Sequence, residues 1–291
     1  MTVAVKPDAF RCGRFTLPLH RPLIMGVVNV TPDSFSDGGD FLDPGRAVAH
    51  AQRLVAEGAD ILDIGGESSR PGSAPVSLRE ERRRVLPVLK QAVELGVPVS
   101  VDTTKPELMR EVLDSGAAMI NDISALGSAG AVDVIAASDA GICLMHMQGD
   151  PAKMQLAPTY EDVVAEVSGF LCGRARSLLD KGVSTERILI DPGFGFGKTD
   201  QHNLELLEGL PLIASHGFAV LAGLSRKSQL GRITGRERAR SRLGASIAAA
   251  LAAVRNGASI VRVHDVAETR DALLVWQAMC GGDKRNGANS N

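Results

Sequence analysis

Residues 46–67 read RAVAHAQRLVAEGADILDIGGE. Ala47, Val48, Ala51, Leu54 and Val55 fall on one face of a 3.6-residue period, which predicts an amphipathic helix over Arg46–Glu57. Gly58 follows as a C′ glycine, where a left-handed backbone ends a helix at little cost. The apolar run Ala59–Ile64 then predicts a strand, reached by an αβ connection of ordinary length.

This unit recurs along the chain. Short apolar runs predict further strands at Leu23–Val30, Val97–Val101, Ala118–Asn121, Gly141–Met145, Ile188–Ile190, Ala219–Ala222 and Ser259–Val263. Amphipathic stretches lie between them. The segment Glu161–Lys181, for example, carries Val163, Val164, Val167, Phe170, Leu171, Leu178 and Leu179 on one face. Ser77–Glu80 and Thr104–Glu107 read as capping boxes, the second with Pro106 at N2. Gly96, Gly116, Gly182 and Gly257 follow helical runs as Gly58 does.

Eight strand–helix units between about residue 23 and residue 281 predict an α/β fold, a (βα)8 barrel of the TIM type. A doubly wound sheet shares the local pattern and is separated mainly by count. The barrel is expected to be one domain over residues 1–281. Phe10–Leu17 predicts a small hairpin turning near Gly13 and closing the N-terminal mouth. Residues 282–291 hold no Val, Ile, Leu or aromatic residue and are expected to form a disordered tail.

Composition narrows the function. The chain has 291 residues, 44% hydrophobic, with a formal charge of −2. That balance argues against a nucleic-acid coat or a polybasic membrane binder. Cys12, Cys143, Cys172 and Cys280 are scattered, with no C-x-x-C, so a zinc ribbon is excluded. The opening residues lack the apolar core of a secretory signal, and no run approaches the ~18 apolar residues of a membrane span. A reduced, cytoplasmic protein is expected.

In such a barrel the chemistry sits at the carboxyl ends of the strands. Here those ends carry Asn29, Gly65–Gly72, Asp102, Asn121–Asp122, His146, Asp191, Ser225–Ser228 and Arg262–His264. Polar groups inside a barrel are costly unless paired or facing a ligand, so acids, amides and bases at all eight ends point to a binding site. Asp63 and Asp122 are left with the simpler alternative of capping neighbouring helices or loops. Two βα loops exceed connector length: Val30–Asp43, with Asp33, Phe35 and Asp37, and Gly65–Ser77, with Ser68, Ser69 and Arg70. Together they are expected to cover the mouth and exclude water.

Several motifs fail on inspection. Gly193–Thr199 resembles a phosphate loop, but Pro192 stands where its first glycine is needed, leaving a glycine-rich turn. Gly223–Lys227 lacks the last glycine of a nucleophile elbow. No G-x-G-x-x-G follows a strand. His146 and His264 have no second histidine three or four residues away, so a zinc site is not expected. Lys227 keeps a Schiff-base reading, with Arg226 beside it to depress its pKa. Arg226, Lys227, Arg232, Arg236, Arg238, Arg240 and Arg242 face Glu237 alone, a mild positive field that suits an anionic substrate.

These strand ends and loops resemble the dihydropteroate synthase family of the folate pathway, over about residues 15–280. The motifs that carry the resemblance are Met25–Gly39, Asp63–Gly72, Ser100–Thr103, Asn121–Ile123, Asp191–Lys198, Ser225–Ser228 and Arg262–His264, in the family's order. The resemblance implies a transferase that joins 6-hydroxymethyl-7,8-dihydropterin pyrophosphate to p-aminobenzoate with Mg²⁺ assisting. It implies a pterin pocket of Asp102, Asn121, Asp191 and Lys227, with Ile123, Met145 and Phe196 on the ring. For Met145 a plain core role stays open. Pyrophosphate is implied at Asn29, Ser69, Arg70, Arg262 and His264, with Asn29 as the Mg²⁺ ligand. Phe35 and Pro71 are implied to sandwich p-aminobenzoate, whose carboxylate falls to Ser228 with Arg226 and Lys227. Catalytic roles are implied for Asp102, Lys227, Asp37, Arg262 and His264. The family is the sulfonamide target and usually forms homodimers. Ala248, Leu251, Ala252, Leu273, Leu274, Trp276 and Met279 offer an apolar seam for a dimer, or equally for packing on the barrel. The small-molecule substrates leave no expectation of a nucleic-acid or membrane partner. A methyltetrahydrofolate methyltransferase barrel, a Lys227 aldolase and a non-catalytic homologue are the rival readings.

Overall fold

The computed structural model describes residues 6–31, 43–68 and 72–280. A hairpin of β1 (Ala9–Cys12) and β2 (Phe15–Pro18) precedes the repeating units. These are β3 (Leu23–Asn29), α1 (Pro44–Glu57), β4 (Ile61–Gly65), α2 (Leu78–Ala92), β5 (Val99–Asp102), α3 (Pro106–Asp114), β6 (Met119–Asp122), α4 (Ala131–Ala136), β7 (Gly141–Met145) and α5 (Val163–Leu179). There follow β8 (Ile188–Asp191), α6 (Asp200–Glu208), α7 (Leu210–Ala214), β9 (Ala219–Ala222), α8 (Ser228–Thr234), α9 (Leu243–Arg255), β10 (Ile260–Val263) and α10 (Val266–Cys280). Each strand from β3 to β9 pairs in parallel with the next, and β10 closes on β3. The expected barrel is therefore present.

Alternation divides each strand between two cores. Val28, Leu62, Ile64, Val101, Ile120, Ile142, Ile190 and Val220 face outward and pack with the helix residues Leu54, Val88, Leu108 and Leu171. Leu23, Met25, Ile61, Met119, Cys143, Leu189, Leu221 and Ile260 face inward and fill the lower barrel. The hairpin joins that inner core through Phe10 and Cys12, so it closes the N-terminal mouth as expected. A Cβ on Gly141 would lie 2.5 Å from Phe10 Cζ, so glycine there admits the hairpin.

Several strands start later than the hydropathy suggests. Before β4, the Gly58 and Ala59 amides bond back to α1, Gly58 to Leu54 O and Val55 O, Ala59 to Leu54 O. Those residues finish the helix before the strand can begin. The second capping box is absent: Lys105 is the N-cap of α3 without a side-chain bond, and Pro106 sits at N1. Ser77 does cap α2, but Glu80 pairs with Arg83 and Arg84 instead of closing the box. A reciprocal box, not foreseen, joins Thr199 and His202 at α6. A third long βα segment, beyond the two expected, spans residues 146–162. Residues 282–291 lie outside the described residues.

Candidate active site

The inward positions change character toward the carboxyl ends. Above Ile61 stands Asp63, above Met119 stands Asn121, above Leu189 stands Asp191, and above Ile260 stands Arg262. Asp102 ends β5 opposite Asn121, and Met145 ends β7 opposite Asp191. Two inward glycines complete the layer. A Cβ on Gly65 would approach Asn29 Oδ1 and Asp102 Cβ to 3.7 Å each, and one on Gly223 would come 4.0 Å from Arg262 Cβ and Asp191 Oδ2. Glycine at these two points keeps side chains out of the space between Asn29 and Asp102 on one side and Asp191 and Arg262 on the other, in the layer that also holds Asn121 and Met145.

The floor of that space is one charge network. Arg262 Nε donates to Asp63 Oδ2 at 2.7 Å, and its Nη2 reaches Asp102 Oδ2 at 3.4 Å. Asn121 Nδ2 donates to the same Asp63 oxygen at 3.1 Å. Burial, reinforced by the negative Asp63, holds the Asp102 carboxyl well above the ordinary range. Burial also lifts Asp191 to about 6, although the Gly193 amide donates to its Oδ1 at 2.7 Å. The arrangement brings the oxygens of Asp102, Asn121 and Asp191 together, a set that suits a donor-rich ligand.

Lys227 supplies the opposing donor. It is the N-cap residue of α8, with Nζ 4.2 Å from the centre of the Phe196 ring. Burial lowers it to about 8, and Asp191 draws it back up. The further lowering charge is Arg262, not the neighbouring Arg226. Arg226 turns away, with a left-handed φ of 59°, to form a two-pronged pair with Asp265. Ser228 opens α8 beside Lys227 and is exposed. At the end of β10, the His264 amide donates to Ser225 Oγ at 3.2 Å, and its Nδ1 lies 3.0 Å from the same hydroxyl.

The glycine-rich turn after Asp191 is a packing element, as its failed phosphate-loop pattern predicts. A Cβ on Gly193 (φ 69°) would fall 1.9 Å from His146 O, and one on Gly197 would fall 2.4 Å from Gln148 O. Lys198 turns inward beneath it and donates to Phe196 O at 2.9 Å. Phe194 is buried in the outer core, whereas Phe196 stays half-exposed beside Lys227. Ile123 is half-buried and lines a neighbouring cleft of about 360 Å³ with Asp102, Glu67, Glu81, Met147 and Pro151.

Thus Asn29, Asp102, Asn121, Met145, Asp191, Phe196, Lys227 and Arg262 come to one mouth. Phe35, Asp37, Ser69, Arg70 and Pro71 lie outside the described residues. Asp122 proves to be a loop cap, accepting from Ser124 N at 2.7 Å and Leu126 N at 2.9 Å. Asp63, left with the same alternative, is instead part of the floor. Parity along β4 could have found it: Asp63 is in phase with Ile61 and Gly65, not with Leu62 and Ile64.

Three comparisons bear on this mouth. The pterin binding enzyme family matches residues 25–264. The dihydropteroate synthase of Neisseria meningitidis serogroup C is 52% identical over 274 residues, spanning 93% of this chain and 97% of the relative. A Xanthomonas albilineans dihydropteroate synthase solved with 4-aminobenzoic acid superposes with a TM-score of 0.89 at 51% identity, covering 94% of this chain and 98% of that one. The Burkholderia cenocepacia enzyme complexed with 7,8-dihydropteroate gives 0.88 at 46% identity, covering 98% and 100%. With the barrel, its polar mouth and relatives matched over nearly their full length, this chain belongs to the dihydropteroate synthase family of pterin-binding transferases.

Proposed function

We propose that the chain condenses 6-hydroxymethyl-7,8-dihydropterin pyrophosphate with p-aminobenzoate, giving 7,8-dihydropteroate and pyrophosphate for folate synthesis. The observation that carries this reading is the polar inner layer at the carboxyl ends of the strands, with acceptors on Asp102, Asn121 and Asp191 and a donor on Lys227. A pterin edge presents adjacent N–H and NH₂ donors beside a carbonyl, which is the complement of that set. Met145 and Phe196 give the ring an apolar border.

The reaction begins with cleavage of the C–O bond at the pterin methylene, the electron pair leaving with pyrophosphate. Asp102 faces the ring from the floor and stabilises the positive charge that the dihydropterin takes up. Arg262 balances Asp63 and Asp102 before the reaction, and with His264 offers donors to the departing oxygens. The neutral aniline nitrogen then forms the C–N bond and loses its proton to water. Asp37 and the two long loops take part in excluding water and holding p-aminobenzoate, with Phe35 and Pro71 on its ring, and Ser69 and Arg70 toward the pyrophosphate. Ser228 at the start of α8 holds the carboxylate. Arg226, committed to Asp265, serves that pocket by shaping the turn.

Mg²⁺ fits this site through Asn29, whose neutral amide oxygen borders the space beside Gly65 and Asp102. A single protein oxygen suits an ion that keeps waters and substrate phosphates in its shell. When bound, the ion supplies charge neutralisation to the pyrophosphate. The assembly in this reading is a homodimer through α10, which leaves Leu274, Val275 and Met279 exposed.

Asp191→Asn tests the pocket. Losing a charged pair of hydrogen bonds is expected to weaken pterin binding about a hundredfold, or roughly 3 kcal/mol, by calorimetry. Unchanged pterin affinity would remove Asp191 from the pocket.

A further inference from the structure

Asp63 is fully buried, yet it touches two residues of the mouth that come from opposite sides of the barrel. Its Oδ2 accepts from Asn121 Nδ2 on β6 and from Arg262 Nε on β10. Its Oδ1 is buried with no protein partner, so the carboxylate is committed through a single oxygen. A carboxylate only accepts, so the carboxamide of Asn121 must turn its NH₂ toward Asp63. The Asn121 oxygen is thereby turned away from Asp63.

We propose that Asp63 is a positioning residue that sets the chemical face of the pterin site. It locks Asn121 with its oxygen available to the ligand, and the same contact fixes the side chain of Arg262 across the barrel. The inference rests on the synthase reading above. Asn121 alone would present either a donor or an acceptor by a simple flip of its amide. With Asp63 beneath it, the mouth presents acceptors from Asn121, Asp102 and Asp191 together. That selects the donor-rich edge of an aminopyrimidinone ring over an edge of acceptors.

Exchange of the pair tests this. In Asp63→Ala neither the Asn121 amide nor Arg262 keeps its acceptor, so Asn121 can flip, and kcat/KM for the pterin pyrophosphate is expected to fall at least tenfold. KM for p-aminobenzoate should stay within about twofold, which general loosening of the barrel would not allow. Asn121→Asp sets two carboxylates against each other and should lose as much. In the double variant D63N/N121D, the new amide at 63 can donate to 121 from the Oδ2 position while 121 presents an oxygen as before, and Arg262, which shares that position in the wild type, gives up its bond to 63. The double variant should recover severalfold over Asn121→Asp, whose facing carboxylates it removes. Folded Asp63→Ala with unchanged pterin kcat/KM would overturn the proposal, and so would a folded double variant no better than Asn121→Asp.

Should these variants not fold, the wild-type protein still decides. The side-chain NH₂ resonances of Asn121, assigned in a ¹⁵N-labelled sample, should resist exchange with solvent in the free protein. Exchange at the rate of an exposed amide would overturn the proposal. Wild-type protein that releases no pyrophosphate and makes no dihydropteroate would count against the synthase reading alone, because the amide signature is measured without substrate.

Discussion

Lys198 Nζ donates to His146 Nδ1 at 3.0 Å, and both residues are buried. Burial is the first cause of lowering for each: His146 falls to about 3 and Lys198 to about 7. The pair therefore works as a largely uncharged strut between the β7 and β8 loops. Between about pH 3 and pH 6.5 the unfolded chain binds a proton at His146 that the folded chain does not. Stability should fall as pH drops through that window, by up to about 1.4 kcal/mol per pH unit from this group. His146→Gln should flatten that slope in melting temperatures taken against pH. An unchanged slope would show that His146 protonates freely in the fold.

Activity should have a bell-shaped dependence on pH. Asp191, raised to about 6, and Asp102, raised further, must be ionised to accept from the pterin and face its positive charge, so kcat/KM should fall as pH drops from about 8 toward 6 and below. Lys227, lowered to about 8, must be protonated to donate fully, so kcat/KM should fall above it. Steady-state rates at limiting pterin pyrophosphate read both limbs. Lys227→Met should lower kcat/KM and abolish the alkaline limb. A profile flat from pH 6 to about pH 10 would contradict these assignments.

The two glycine classes should separate folding from binding. Gly193→Ala must place a Cβ 1.9 Å from His146 O with φ at 69°, and is expected to cost at least about 3 kcal/mol in urea unfolding. Gly182→Ala, at φ 84° with nothing within 4 Å, should cost only about 1 kcal/mol.

Gly223→Ala meets only ordinary contacts at 4.0 Å, so its melting temperature should stay near wild type. The added methyl occupies the space between Asp191 and Arg262. Pterin affinity should fall at least about tenfold, or ~1.4 kcal/mol. Full affinity in a folded Gly223→Ala protein would place the pterin elsewhere.

Leu274, Val275 and Met279 are 53%, 61% and 77% exposed on α10, beside half-buried Trp276. Sedimentation should show a dimer for the native chain and a monomer for Leu274→Glu/Met279→Glu. A native chain sedimenting as a monomer would leave that apolar face without the proposed partner.

The barrel is legible from local sequence alone. Helical periods, C′ glycines and eight apolar runs are local signals, and each unit such as residues 46–67 carries them independently. Most of the mouth is legible there too, because barrel chemistry gathers where strands end. What those residues do to one another depends on how the strands pair. Asp63 and Asp122 look alike as acids in or beside short strands, yet one faces inward and the other caps a loop. Strand parity, fixed only when neighbours pair in register, separates them. Arg226 and Arg262 likewise differ not in type but in what they meet: Asp265 outside the mouth, Asp63 and Asp102 within it. The depressed Lys227 and the strut between His146 and Lys198 arise from burial, a property of the closed barrel that no single segment encodes.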